Sequence, residues 1–160
     1  MANWVLNPGT QAAACMDQWV VGSAVRNEGK YSLYISDNGG LDAHYGNKHD
    51  VQYVYRDFTM APGQYDITFD YMCVGEAGTS TLSAGVTFVS AVQADMNAKA
   101  TSPLVPSSIQ TASQLKNMQG AARWKSASFT FVAKSADTQL RLFFVWQNSN
   151  VDPDRFQAIG

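Results

Sequence analysis

The chain has 160 residues, 46% of them hydrophobic and 15% charged, enough to bury roughly 70% of the surface an unfolded chain exposes without a metal or disulfide staple. Its formal charge of −2 comes from 11 basic and 13 acidic side chains scattered without runs, which argues against nucleic acid and against a polybasic hold on an anionic membrane. No apolar run approaches the roughly 20 residues that cross a bilayer.

Taken in order, Asn3 to Leu6 (NWVL) is a short β-prone opening, and Asn7-Pro8-Gly9-Thr10 reads as a turn. Gln11 to Met16 lacks caps and length for a helix and is assigned as loop, followed by a short strand at Trp19-Val20-Val21. After the turn Asn27-Glu28-Gly29, the segment KYSLYIS alternates Tyr31, Leu33 and Ile35 against Ser32, Tyr34 and Ser36, which predicts a strand with the first set inward. Asp37-Asn38-Gly39-Gly40 ends it, and His44 to Asp50 is polar loop.

Val51 to Met60 carries large side chains on both faces, Val51, Tyr53 and Tyr55 against Gln52, Val54, Arg56 and Phe58, as expected of a strand covered twice. Ala61-Pro62-Gly63-Gln64 has Pro and Gly at the centre of a type II turn, which predicts a hairpin to the next strand. Tyr65 to Val74 keeps period two over ten residues, with Tyr65, Ile67, Phe69, Tyr71 and Cys73 inward. Glu76-Ala77-Gly78-Thr79 turns into a strand over Leu82 to Val92. Asp95 to Ala122 holds Pro103 and Pro106 and little periodic burial, so it reads as a long loop with a helical turn at Ser113 to Met118. Arg123 to Val132 and Gln139 to Gln147 are two more strands joined at Ser135-Ala136-Asp137, and Arg155 to Ile159 closes the chain. Eight or nine short strands separated by turns predict an all-β chain, a single β-sandwich or jelly roll over residues 1–160.

The order of these segments resembles the cleaved-adhesin and MAM-like jelly-roll modules of Bacteroidota surface and secreted proteins. The resemblance is carried by Trp19 to Ala24, Ser32 to Gly40, Val54-Tyr55-Arg56, Ala61 to Tyr65, Thr68 to Tyr71, Gly75-Glu76, Trp124 and Leu142 to Asn148. It implies a β-sandwich of jelly-roll type, an extracellular or cell-surface setting beside other domains of a parent chain, and a non-catalytic role in adhesion or glycan binding. Modules of this kind often hold calcium near strand ends.

Catalytic signals are weak. His44 and His49 share one loop, and no Gly-x-Ser-x-Gly turn accompanies them, so nucleophilic hydrolysis is not indicated. Asp66, Asp70 and Glu76 include candidate pairs for a glycosidase but read more simply as solvated or as partners of Arg56. No cofactor is required. Asp37, Asn38 and Asp42 offer oxygens to a structural calcium, against the plainer reading of an Asx-type turn. Cys15 and Cys73 leave two readings: a disulfide closing about 58 residues and worth roughly 4 kcal/mol, or a small buried thiol at Cys73, which is favoured.

Glycan recognition needs an aromatic platform for sugar rings and a few placed polar groups. Trp146 and Asn148 at one strand end, with Tyr45, His49 and Tyr55 near another, are the candidate ligand-binding residues, provided the two ends meet at a rim of the sandwich. The competing reading is an adhesin or structural module contacting a host, matrix or neighbouring protein, with no glycan bound.

Overall fold

The computed structural model of the chain describes residues 3–7, 17–45, 50–74, 80–88, 114–118, 120–135, 138–148 and 156–159. These form ten strands: β1 (Val5–Leu6), β2 (Gln18–Gly22), β3 (Ser32–Ser36), β4 (Asp50–Met60), β5 (Gly63–Val74), β6 (Ser80–Phe88), β7 (Gln114–Asn117), β8 (Ala121–Ala133), β9 (Thr138–Asn148) and β10 (Phe156–Ile159). One sheet has the order β1-β4-β9-β6-β7 and the other β2-β3-β10-β5-β8, with all pairings antiparallel. The fold is an all-β sandwich of jelly-roll type.

The core lies between the two sheets, where apolar residues at every second position meet. Phe69 of β5 meets Phe144 of β9 edge-on, with ring centroids 5.0 Å apart. Trp19 of β2 is buried, and its indole N–H donates to the Gln52 carbonyl of β4 at 3.1 Å, which joins one sheet to the other. Asn7, at φ 47° just past β1, adds a second tie. Its side chain takes both backbone groups of Trp19, at 2.9 and 2.8 Å, while its backbone N–H donates to the Tyr53 carbonyl at 2.9 Å.

The period-two reading of β5 holds. Tyr65, Ile67, Phe69, Tyr71 and Cys73 all pack into the core. In β4, Tyr53 and Val54 are both buried, so that strand is covered on both faces. Three expectations are corrected. The chain does turn at Ala61-Pro62, but β4 and β5 do not pair: β4 lies against β1 and β9, and β5 against β10 and β8. The turn carries the chain from one sheet to the other. The turn after β8 does the same, since β8 pairs with β5 and β9 with β4. Two antiparallel ribbons thus fold over together, and Phe58 and Met60 before the corner share one core with Tyr65 after it.

The second correction concerns β3, which is buried on both faces. Tyr34, placed outward by its alternation, packs with Ala43, Val20, Val25 and Trp124 in a small separate cluster, and its hydroxyl donates to the Gly40 carbonyl at 2.6 Å. Gly22 is needed for this: a Cβ there would lie 2.1 Å from the Tyr34 hydroxyl oxygen. Tyr31, expected inward, is 54% exposed. Third, the helical turn expected at Ser113 to Met118 is strand β7, hydrogen-bonded along β6 and ended by a Met118 N–H to Leu82 carbonyl bond of 2.7 Å. The readings placed on Gln11 to Met16, Cys15, Glu76 and most of Asp95 to Ala122 lie outside the described residues.

Cys73 is a free, buried thiol, so the disulfide reading is not what the structure has. Burial pushes the thiol from its ordinary 9.0 up to about 12, against a smaller opposing effect of the Gly120 backbone. A thiol disfavoured as thiolate is a poor nucleophile. Cys73 is therefore expected to react with a disulfide reagent only on unfolding, a contrast measured by comparing labelling rates with and without denaturant. Because the folded state favours the protonated thiol, its contribution to stability is full below the unfolded value and is lost as pH rises toward about 12.

Candidate functional site

The face of the β1-β4-β9-β6-β7 sheet turned away from the core has an unusual make-up. Pairing across β4 and β9 sets Tyr53 opposite Val145, Tyr55 opposite Phe143 and Asp57 opposite Arg141, all on this face. β6 adds Ser83 beside Val145 and Gly85 beside Phe143. Tyr53, Phe143 and Val145 are buried. Toward the β1 edge the face becomes accessible: Tyr55 is half-buried, and its cross-strand neighbour Val5 is exposed.

At that transition three side chains interlock. The Arg141 guanidinium carbon lies 3.6 Å from the centre of the Tyr55 ring. Arg141 Nε and Nη2 donate to the two carboxylate oxygens of Asp57 at 2.7 and 2.8 Å. The arginine side chain is 2% exposed and the aspartate 41%. A buried guanidinium needs this kind of forked partner to offset its lost hydration. The result is an aromatic ring backed on one face by a fixed cation, with a partly exposed carboxylate beside it. Such a group offers a platform for an apolar ring face and acceptors for hydroxyls.

The sequence-derived candidates divide. Tyr55 stands in this cluster. Trp146 is 0% exposed and Tyr45 1% exposed; they meet in the core with ring centroids 5.2 Å apart at 60°. Neither forms a rim: β9 turns Trp146 inward with its other even-numbered residues Leu140, Leu142 and Phe144, and Tyr45 packs into the same core. The Trp146 indole N–H has no hydrogen-bond partner among the described residues, nor does Gln147 Oε1 on the other face. Asn148 pairs in register with Asp50 and Ser80 at the end of β9, five positions past Phe143 and so roughly 17 Å along the strand from Tyr55. His49 lies outside the described residues.

In the Asp37 to Tyr45 loop the polar side chains are spent on one another. His44 Nδ1 donates to Asp37 Oδ2 at 2.9 Å. Asn38 Oδ1 accepts from the Ser36 hydroxyl and from the Leu41 and Asp42 N–H groups, while its Nδ2 donates to Asp42 Oδ1 at 2.9 Å. Calcium wants several free oxygens converging on one point, whereas here Asn38 Oδ1, Asp37 Oδ2 and Asp42 Oδ1 already accept hydrogen bonds within the loop. Among the described residues no group of three or more His, Cys, Asp or Glu is placed to hold a metal. Melting curves in calcium and in chelator are expected to superimpose; a rise of several degrees in calcium would give the loop a cation.

Asp66 and Asp70 lie on the outer face of β5, held by Thr130 at 2.7 Å and Ser126 at 2.5 Å. The Ser126 hydroxyl, and after it the Asn27 amide, keeps the Asp70 carboxyl below its ordinary value. Four residues apart on one strand, the two carboxylates are separated by roughly 13 Å, beyond the roughly 5 to 10 Å of a glycosidase pair. Arg56 does not reach them: it lies over the Phe58 ring on the other sheet, 5.0 Å from its centre.

No protein-family model matches the chain, and no curated protein matches it as a relative. Solved structures do. A carbohydrate-binding module, TmCBM61 in complex with beta-1,4-galactotriose, superimposes with TM-score 0.56 at 9% identity over 99% of this chain and 84% of its own. The C-terminal family 22 carbohydrate-binding module of Clostridium thermocellum Xyn10B does so with TM-score 0.51 at 11% identity over 100% and 86%. The enzymatically active domain of bacteriophage CBA120 tailspike protein 4 has TM-score 0.57 at 15% identity over 99% of this chain but 18% of its own, so the likeness there is to one part of a larger chain. The likeness is one of fold.

Arg141 and Asp57 were not among the sequence-derived candidates. The available signal was a lone charge inside QLRLFFVWQ, an otherwise apolar strand, which demands a buried partner.

Proposed function

We propose that the chain is a non-catalytic carbohydrate-binding module, working outside the cell or at its surface as one domain of a larger protein. The observation that carries this is the Tyr55, Arg141 and Asp57 cluster: a half-buried ring with a guanidinium carbon 3.6 Å from its centre and a carboxylate at its side. A sugar ring stacks its C–H face on such a platform while its hydroxyls bond to the charged pair. The fold supports the reading, because two of its structural neighbours are carbohydrate-binding modules. No helix among the described residues is long and apolar enough to cross a membrane.

The finer resemblance to cleaved-adhesin and MAM-like modules belongs to the same proposal, as do Asn148 and His49 as polar groups farther along the site. Glycan array binding followed by titration with the best polysaccharide tests it. Saturable binding to one glycan class is expected. Silence on the array with saturable binding to a matrix protein would favour the adhesin reading, for which the exposed Leu41 and Tyr31 offer apolar contacts.

A further inference from the structure

The charge balance of the site bears on which glycans it takes. Arg141 is the one cation the described residues bring to Tyr55, and both of its bonds to Asp57 are short and aimed at the two carboxylate oxygens. The pair is therefore neutral as a unit. Of its two members the aspartate faces solvent, at 41% side-chain exposure, while the arginine is buried at 2%. An incoming ligand meets the negative end first. The neighbouring row on this face, Thr59 of β4 opposite Gln139 of β9, is exposed and uncharged. Arg56, the nearest cation in sequence, lies on the opposite face of the sheet over Phe58.

We infer that Asp57 sets the ligand class of the Tyr55 site, admitting neutral pyranose chains and turning away chains of uronic acids. The inference rests on the glycan-binding reading above. A carboxylated sugar stacked on Tyr55 would bring its charge beside the exposed carboxylate of Asp57, and the guanidinium that would otherwise receive it is already engaged. Neutral hydroxyls instead donate to the remaining lone pairs of Asp57, which a carboxylate has in excess of the two used by Arg141.

The test is affinity electrophoresis of the whole chain in gels containing xylan, beta-1,4-galactan or polygalacturonate, at low and at moderate salt. The wild type is expected to bind a neutral polysaccharide at least about tenfold more tightly than polygalacturonate, at both salt concentrations. Asp57→Asn, which keeps the shape and frees the guanidinium charge, is expected to gain polygalacturonate binding by several fold at low salt and lose that gain as salt rises. Equal or tighter binding of polygalacturonate by the wild type would overturn the inference while leaving glycan binding intact. So would a folded Asp57→Asn that gains nothing. If Asp57→Asn fails to fold, the wild-type comparison decides alone. Binding to no polysaccharide at all would remove the glycan reading and this inference with it.

Discussion

Tyr55→Ala is expected to weaken glycan binding by about ten- to a hundredfold. In the proposed site the ring is the platform, and the burial of such a ring against a ligand is worth about 1.5–3 kcal/mol, with each 1.4 kcal/mol or so a factor of ten in affinity. The substitution also strips the stacked cover from Arg141, at a cost of about 0.5–2 kcal/mol to the fold. The Asp57 pair stays in place, so the sandwich should hold. Tyr55→Phe keeps the stacked face and loses only the hydroxyl. It is expected to bind within a few fold of wild type, which separates platform loss from general damage. Isothermal titration with the best polysaccharide, alongside thermal melts of the three proteins, reads both quantities.

Trp146→Ala is expected to do the reverse. This indole is wholly buried and packs edge-on against Tyr45. Removing a buried Trp costs about 3–5 kcal/mol, and in a domain of this size each kcal/mol lowers Tm by about 2–4 °C. A fall of roughly 6 to 20 °C follows. Glycan affinity of the protein that remains folded should stay within about twofold, because Trp146 faces the core and Tyr55 the other side of the same sheet. Unchanged melting with lost binding would instead return Trp146 to a rim.

The contrast between these residues shows what the sequence makes legible. In β5, polar and apolar residues alternate so strictly that only one face can be buried, and Tyr65 to Cys73 lie as that pattern requires. In β9, LRLFFVWQ is apolar on both faces, so alternation cannot say which side meets the core. Trp146 and Phe143 are equally suited to either. Parity with Leu140 and Leu142 places Trp146 inward, and the decisive fact is the register Asp57 to Arg141, a pairing 84 residues apart in sequence.

The Ala61-Pro62-Gly63 turn teaches a related lesson. Turn residues report that the chain reverses, not which strand will receive it. In a sandwich the reversal serves equally well to cross between sheets, and β4 and β5 do so because their partners β9 and β8 are joined by a matching crossing. Tyr34 departs from the exposure its alternation implies for another reason. Its alternation is correct, but the segment holding Val25 and Ala43 folds over that face and buries it. Such a cover has no period-two signature.

One measurement bears most directly on glycan binding through the Tyr55 face: titration of wild type and Tyr55→Ala with the best neutral polysaccharide from the array. Wild-type binding is expected to be saturable and to fall at least about tenfold in the variant with the fold retained. Binding undiminished in a folded Tyr55→Ala would contradict it.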